Sequence, residues 1–143
     1  MASVLHLFRA PGRRLSSEEV ETADAVSDFG FAGCAHAKKS SVRQVLLVDK
    51  ETLDAMDLRP GRVRENITTE GINVNGLAFG ERLRIGLVPL QVSAVCTPCD
   101  QLEKVRPGLR REIYGRRGML CQVLQGGTIR AGDAIARVAA ASS

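Results

Sequence analysis

Residues 83–95 read LRIGLVPLQVSAV. Two short runs of Leu, Val and Ile, bounded by Gly86 and Pro89, have the length and composition of β-strands. The same signature recurs in VLHLF at 4–8, VRQVLLV at 42–48 and MLCQVLQ at 119–125. Helical signals are fewer. SSEEVETAD at 16–24 offers a serine cap and an acidic first turn, and DKETLDAMD at 49–57 starts at Asp49 and stops before Pro60. A third helix is expected from Thr97 or Pro98 through CDQLEKV, ended by Pro107. LAFGERLRIG at 77–86 and IRAGDAIARV at 129–138 each place a glycine and an acidic residue before renewed apolar alternation, which suits a tight turn feeding a strand. The expectation is one mostly β domain with a few short helices.

The bulk numbers agree. A chain of 143 residues and 15.4 kDa is the size of one domain, and 44% hydrophobic residues suffice for a core without metal or disulfides. Aromatic residues make up 3% with no Trp, which argues against a stacking platform for single-stranded nucleic acid. No apolar run has the length of a membrane-spanning helix, and the first residues form no basic or apolar leader. The reading is a soluble, cytoplasmic protein without membrane or nucleic-acid partners, whose four cysteines are thiols or metal ligands. Charge is uneven: residues 73–143 carry 10 basic against 5 acidic residues. Much of the excess lies in KVRPGLRREIYGRR at 104–117, either a solvated face or a positive rim for an anion such as phosphate.

The chemistry concentrates in AVCTPCDQ at 94–101. Cys96 and Cys99 can be half of a metal site, a redox pair, a disulfide, or one working thiol with a bystander. With Cys99 in the first turn of a helix, unpaired N–H groups and the helix dipole would favour the thiolate, the form that carries sulfur or binds a soft metal. Cys121, in an apolar run, reads as core. Cys34, His36, Cys96 and Cys99 make a donor set of the kind tetrahedral zinc accepts, although Cys-x-His is tight spacing. In RENITT at 64–69, strand alternation would put Arg64, Asn66 and Thr68 on one face, a cradle for phosphate or a pterin.

Four blocks in order carry a resemblance: GFAGCAHAKKSSVRQVLLVDKETL, GRVRENITTEGINVNGLAFGERLRIG, LQVSAVCTPCDQLEKV and RRGMLCQVLQGGTIRAGDAI. Over residues 26–138 the sequence resembles the MOSC domain, the module named after the C-terminal domain of molybdenum cofactor sulfurase. The resemblance implies a closed β-barrel and a link to the molybdenum cofactor, as its holder or as a sulfur carrier. Cys99, after Pro98, then corresponds to the family thiol, a molybdenum ligand in some members and a proposed persulfide carrier in others. His36, Arg43, Gln44, Arg64, Glu65, Asn66 and Thr68 resemble the polar lining of the family's ligand cleft. Two positions differ: Cys34 stands where the family usually has an acidic residue, and Cys96 where it often has an arginine. The implied ligand is molybdopterin or another phosphorylated small molecule. The implied partners are a cysteine desulfurase, which would bring its own pyridoxal phosphate, or a redox protein. The alternative is a barrel that binds zinc or a small anion and has lost the sulfur chemistry.

Overall fold

The computed structural model describes residues 2–12, 17–35 and 37–138. In chain order the strands are β1 (Ser3–Arg9), β2 (Glu18–Val20), β3 (Thr22–Val26), β4 (Gly30–Phe31) and β5 (Val45–Asp49). Helix α1 (Lys50–Ala55) follows, then β6 (Ile67–Glu70), a 3-10 turn at Val74–Gly76, β7 (Arg82–Ile85) and β8 (Val88–Val95). The chain continues through α2 (Leu102–Val105), α3 (Leu109–Glu112), β9 (Met119–Val123), β10 (Gly127–Arg130) and β11 (Ile135–Val138). An eight-stranded sheet runs β11-β7-β8-β9-β5-β6-β1-β2, and a smaller one runs β10-β3-β4. The five strands expected from Leu/Val/Ile runs all form. The two look-alike stretches pair with each other: β11 lies antiparallel to β7, Ile135 opposite Ile85. Arg137 donates to Glu81 across that pair.

The sheet is a curled half-barrel, open rather than closed as the resemblance implied. The reason lies in β1. One edge pairs with β6, while the other gives Leu7–Arg9 to β2 and keeps a single bridge, Ser3 to Ala134, for the last strand. The contact there is short: besides the bridge, the Val4 N–H donates to the Asp133 carbonyl, and the Val4 and Ala2 carbonyls accept from the Gly132 and Ile135 N–H groups, with no longer ladder beyond among the described residues. The expected helix at 16–24 is also absent among the described residues. Thr22–Val26 alternates exposed and buried, with Ala23 and Ala25 inward, and this period of two pairs with β10 and β4. Tertiary pairing overrides the acidic helix-start signal there.

Strand β5 is buried at all five positions because both its faces are covered. Val45 and Leu47 join the barrel interior with Leu7, Ile67, Leu90 and Cys121. Leu46 and Val48 face the other way, into a second cluster closed by Leu53 of α1, Leu102 of α2, and Leu109 and Ile113. Each such side chain removed from water contributes about 1.5–3 kcal/mol. The second cluster is what holds the excursion between β8 and β9 against the sheet. The β5 to β6 pairing is parallel, with α1 and its following loop as the crossover.

Candidate functional site

The excursion from β8 to β9 leaves and returns at one place. The Cys96 N–H donates to the Gly118 carbonyl at 3.0 Å, so Thr97–Arg117 forms a loop with closed ends. Gly118 permits the close return: at φ +107°, a Cβ there would lie 2.3 Å from the Leu47 carbonyl oxygen. Consequently Cys99, three residues after the exit, and Arg117, one residue before the return, face the same cleft. It encloses about 550 Å³ and is lined by Lys38, Arg43, Arg64, Asn66, Cys96, Cys99 and Arg117 among others.

Cys99 is exposed, whereas Cys34, Cys96 and Cys121 are buried. The helix expected to open at Thr97 or Pro98 starts only at Leu102 and has four residues. Cys99 therefore precedes it, and its carbonyl accepts the Leu102 N–H at 3.1 Å. A helix dipole at the thiol is not part of this geometry. Cys96 belongs to the outer hydrophobic cluster, where burial pushes its thiol pKa up and the charges of Arg117 and Arg43 oppose the rise. Cys121 is fully buried in the barrel, its pKa pushed up to about 12 by burial.

Arg117 was expected on a solvated face or a positive rim with the rest of its basic segment, and its burial was not foreseen. Its side chain is buried, with 6% of the residue exposed. Its Nη2 donates to the Val63 carbonyl at 2.7 Å, and Nε and Nη1 have no hydrogen-bond partner among the described residues. Leaving such donors unsatisfied costs about 1–3 kcal/mol or more for a charged group. No local sequence signal marks it, because the burial follows from the loop closing at Gly118 onto Cys96. Arg106 and Arg110, from the same basic segment, do stay outside, paired with Glu112 at 3.0 Å and Asp100 at 2.7 Å.

The RENITT residues are arranged differently from the alternation expected. Arg64 has φ +65°, so the strand begins after it, at Ile67. Arg64 borders the cleft and its Nη2 reaches the Gly12 carbonyl at 3.4 Å. Asn66 also borders the cleft but is occupied structurally. Its Oδ1 accepts the Leu46 N–H at 2.9 Å, and its Nδ2 donates to the Phe8 carbonyl at 3.3 Å and to Cys34 Sγ at 3.4 Å. Thr68 is fully buried and does not border the cleft. Its hydroxyl donates to Glu65 Oε2 at 2.8 Å, which also accepts the Gly61 N–H at 3.0 Å. Glu65 is itself fully buried, and burial raises its pKa. Gln44 is likewise buried, its Oε1 accepting the Val123 N–H at 3.0 Å and its Nε2 donating to Asp28 at 3.1 Å.

Of the proposed zinc donors, Cys34 lies in the inner cluster and Cys96 in the outer one. His36 lies outside the described residues. Among the described residues, no three His, Cys, Asp or Glu side chains gather as a metal group. No helix among them is long and apolar enough to cross a membrane.

These features define a class: a curled β half-barrel carrying an exposed thiol beside a cationic cleft. The MOSC domain family matches residues 36–136, and the chain belongs to that family. The fold is similar to the YuaD protein of Bacillus subtilis, with 21% identity, a TM-score of 0.80 and 94% of each chain covered. It is also similar to YiiM of Geobacillus stearothermophilus, with 18% identity and a TM-score of 0.80 over 96% of this chain and 75% of that one. For YiiM of Escherichia coli the values are 18%, 0.71, 96% and 71%. No curated protein matches the chain.

Proposed function

We propose that the Cys99 cleft binds a phosphorylated molybdenum–pterin cofactor or carries sulfur for it, with Cys99 as the working thiol. The observation behind this reading is the pairing of an exposed thiol with a buried, half-satisfied guanidinium on one cleft. A phosphate oxygen would be met at the cleft by the guanidinium groups of Arg43 and Arg64, with the buried charge of Arg117 beneath, since guanidinium and phosphate match as a fork and two acceptors. The donor set fits the cofactor: Arg117, Arg43 and Arg64 would hold its anionic part, and Cys99 would face its metal. When bound, the cofactor supplies a molybdenum centre that a thiolate sulfur can ligate.

The arginine that the family often carries at position 96 is Cys96 here. Arg117 and Arg43 both bring positive charge to that thiol. In the sulfur-carrier form, the Cys99 thiolate would attack the outer sulfur of a donor persulfide. A new S–S bond forms at Cys99 and the donor thiolate leaves. The donor is a cysteine desulfurase partner.

Loading the protein with molybdopterin released from a molybdoenzyme, then measuring molybdenum retained after gel filtration, tests the reading. About one equivalent is expected for the wild type and a large loss for Cys99→Ser. Persulfide formed by a desulfurase should appear at Cys99 by mass spectrometry. Neither retention nor persulfide at Cys99 would leave the alternative, a barrel that binds a small anion without sulfur chemistry.

A further inference from the structure

The Cys99 cleft has a neighbour. A second chamber of about 650 Å³ is lined by Phe8, Gly61, Arg62 and Lys104, and by Arg64 and Gln101, which border both spaces. Neither lining contains Asp or Glu among the described residues. The nearby carboxylates are engaged elsewhere. Glu103 accepts the backbone N–H groups of Gly108 at 3.1 Å and Arg110 at 2.9 Å, Asp100 holds the Arg110 side chain, and Glu65 turns inward to Gly61 and Thr68. Arg62 and Lys104 have no carboxylate within ion-pair distance among the described residues, and nor do Lys38, Arg43 and Arg117 on the Cys99 side. Two adjoining concave spaces therefore gather Lys38, Arg43, Arg62, Lys104 and Arg117 with no carboxylate in ion-pair reach among the described residues, a positive surplus that favours an entering anion.

We propose that the second chamber binds a second anionic group, so that the ligand is a small molecule with two phosphates. One lies over Arg117 beside Cys99, the other between Arg62 and Lys104, with Arg64 at the junction. The proposal rests on the reading of the Cys99 cleft as an anion site. Once the first phosphate is held, the second binds intramolecularly, at an effective concentration in the millimolar range for a short linker. Successive phosphates of a single-stranded nucleic acid are a poorer match, because Phe8 is buried and no exposed aromatic borders either chamber among the described residues.

Calorimetry with hexyl phosphate and 1,6-hexanediol bisphosphate separates the two chambers. The wild type should bind the bisphosphate at least tenfold more tightly than the monophosphate. In an Arg62→Ala/Lys104→Ala variant, which changes two exposed side chains, that advantage should vanish while hexyl phosphate affinity stays within about twofold. Equal affinity for the two compounds in the wild type, or an advantage that survives in the variant, overturns the second site and leaves the first intact. If hexyl phosphate does not bind the wild type at all, the Cys99 anion site and the two-phosphate ligand both fall. A single-stranded oligonucleotide that displaces the bisphosphate, with the same dependence on Arg62 and Lys104, would overturn the proposal in favour of nucleic acid.

Discussion

The Cys96 N–H bonds the Gly118 carbonyl at 3.0 Å, and this contact brings Cys99 and Arg117 onto one cleft although 18 positions separate them in sequence. The relationship is backbone to backbone, so it does not depend on which side chains the loop carries. It does depend on Gly118, whose φ of +107° and close approach to Leu47 exclude any side chain. Gly118→Ala is expected to lower the melting temperature by several degrees and to weaken phosphate binding as well. A variant with unchanged melting and binding would show that the loop return tolerates displacement.

Thiol reactivity should follow exposure. Cys99 is exposed, Cys96 is buried with its pKa pushed up, and Cys121 is fully buried with a pKa of about 12. Iodoacetamide labelling at pH 7, resolved by peptide mass, should modify Cys99 first and Cys121 last. Equal rates at the three sites would remove the case for Cys99 as the working thiol.

Arg117 separates ligand binding from stability. Arg117→Met removes a buried charge with two donors unpaired among the described residues and replaces it with an apolar side chain of similar reach, a change that is commonly neutral or stabilising. The melting temperature should hold or rise, while inorganic phosphate affinity falls at least tenfold. A destabilised variant with intact phosphate binding would make Arg117 a purely structural residue.

Much of the fold was legible, and the reasons for the misses are specific. The runs at 83–95 and 119–125 became strands because apolar composition and bounding glycines act locally. Residues 16–24 carried a helix-start signal, yet Ala23 and Ala25 alternate with exposed neighbours, and pairing with β10 and β4 decided the outcome. In the candidate site, the Pro-Cys context of the resemblance singled out Cys99, which the fold leaves exposed on the cleft. Arg117 was not singled out, because its burial comes from a loop closure across the β8–β9 connection. The expected face of Arg64, Asn66 and Thr68 failed at Arg64, where a positive φ breaks the alternation. Asn66 then turned inward to join β1 and β5, a bond pattern no periodicity encodes.

Glu65 links pH to stability. Its folded pKa is raised by burial, so the folded state keeps a proton that the unfolded state releases. Stability from this group is fully present below the unfolded carboxylate pKa of about 4.3 and is lost as pH rises toward the raised folded value. Glu65→Gln removes that loss. The melting temperature of the variant minus that of the wild type should therefore grow from pH 4 upward and then level off. A difference that shrinks with rising pH would mean the buried carboxylate is held ionised.

Chelation addresses the zinc alternative. Cys34 and Cys96 lie in separate hydrophobic clusters, so a structural zinc shared between them is not expected. The melting curve should be the same with and without chelator, and no zinc should be released. Release of about one equivalent with a lower melting temperature would establish a structural metal.

The Cys99 cleft is proposed to hold an anionic cofactor through its guanidinium groups. Calorimetric titration of wild type and Arg64→Ala with a molybdopterin source tests this most directly. A charge-assisted contact contributes about 1.5–3 kcal/mol, so Arg64→Ala should bind roughly tenfold to a hundredfold more weakly, with the melting temperature nearly unchanged. Identical affinities for the two proteins, or no binding by either, would contradict it.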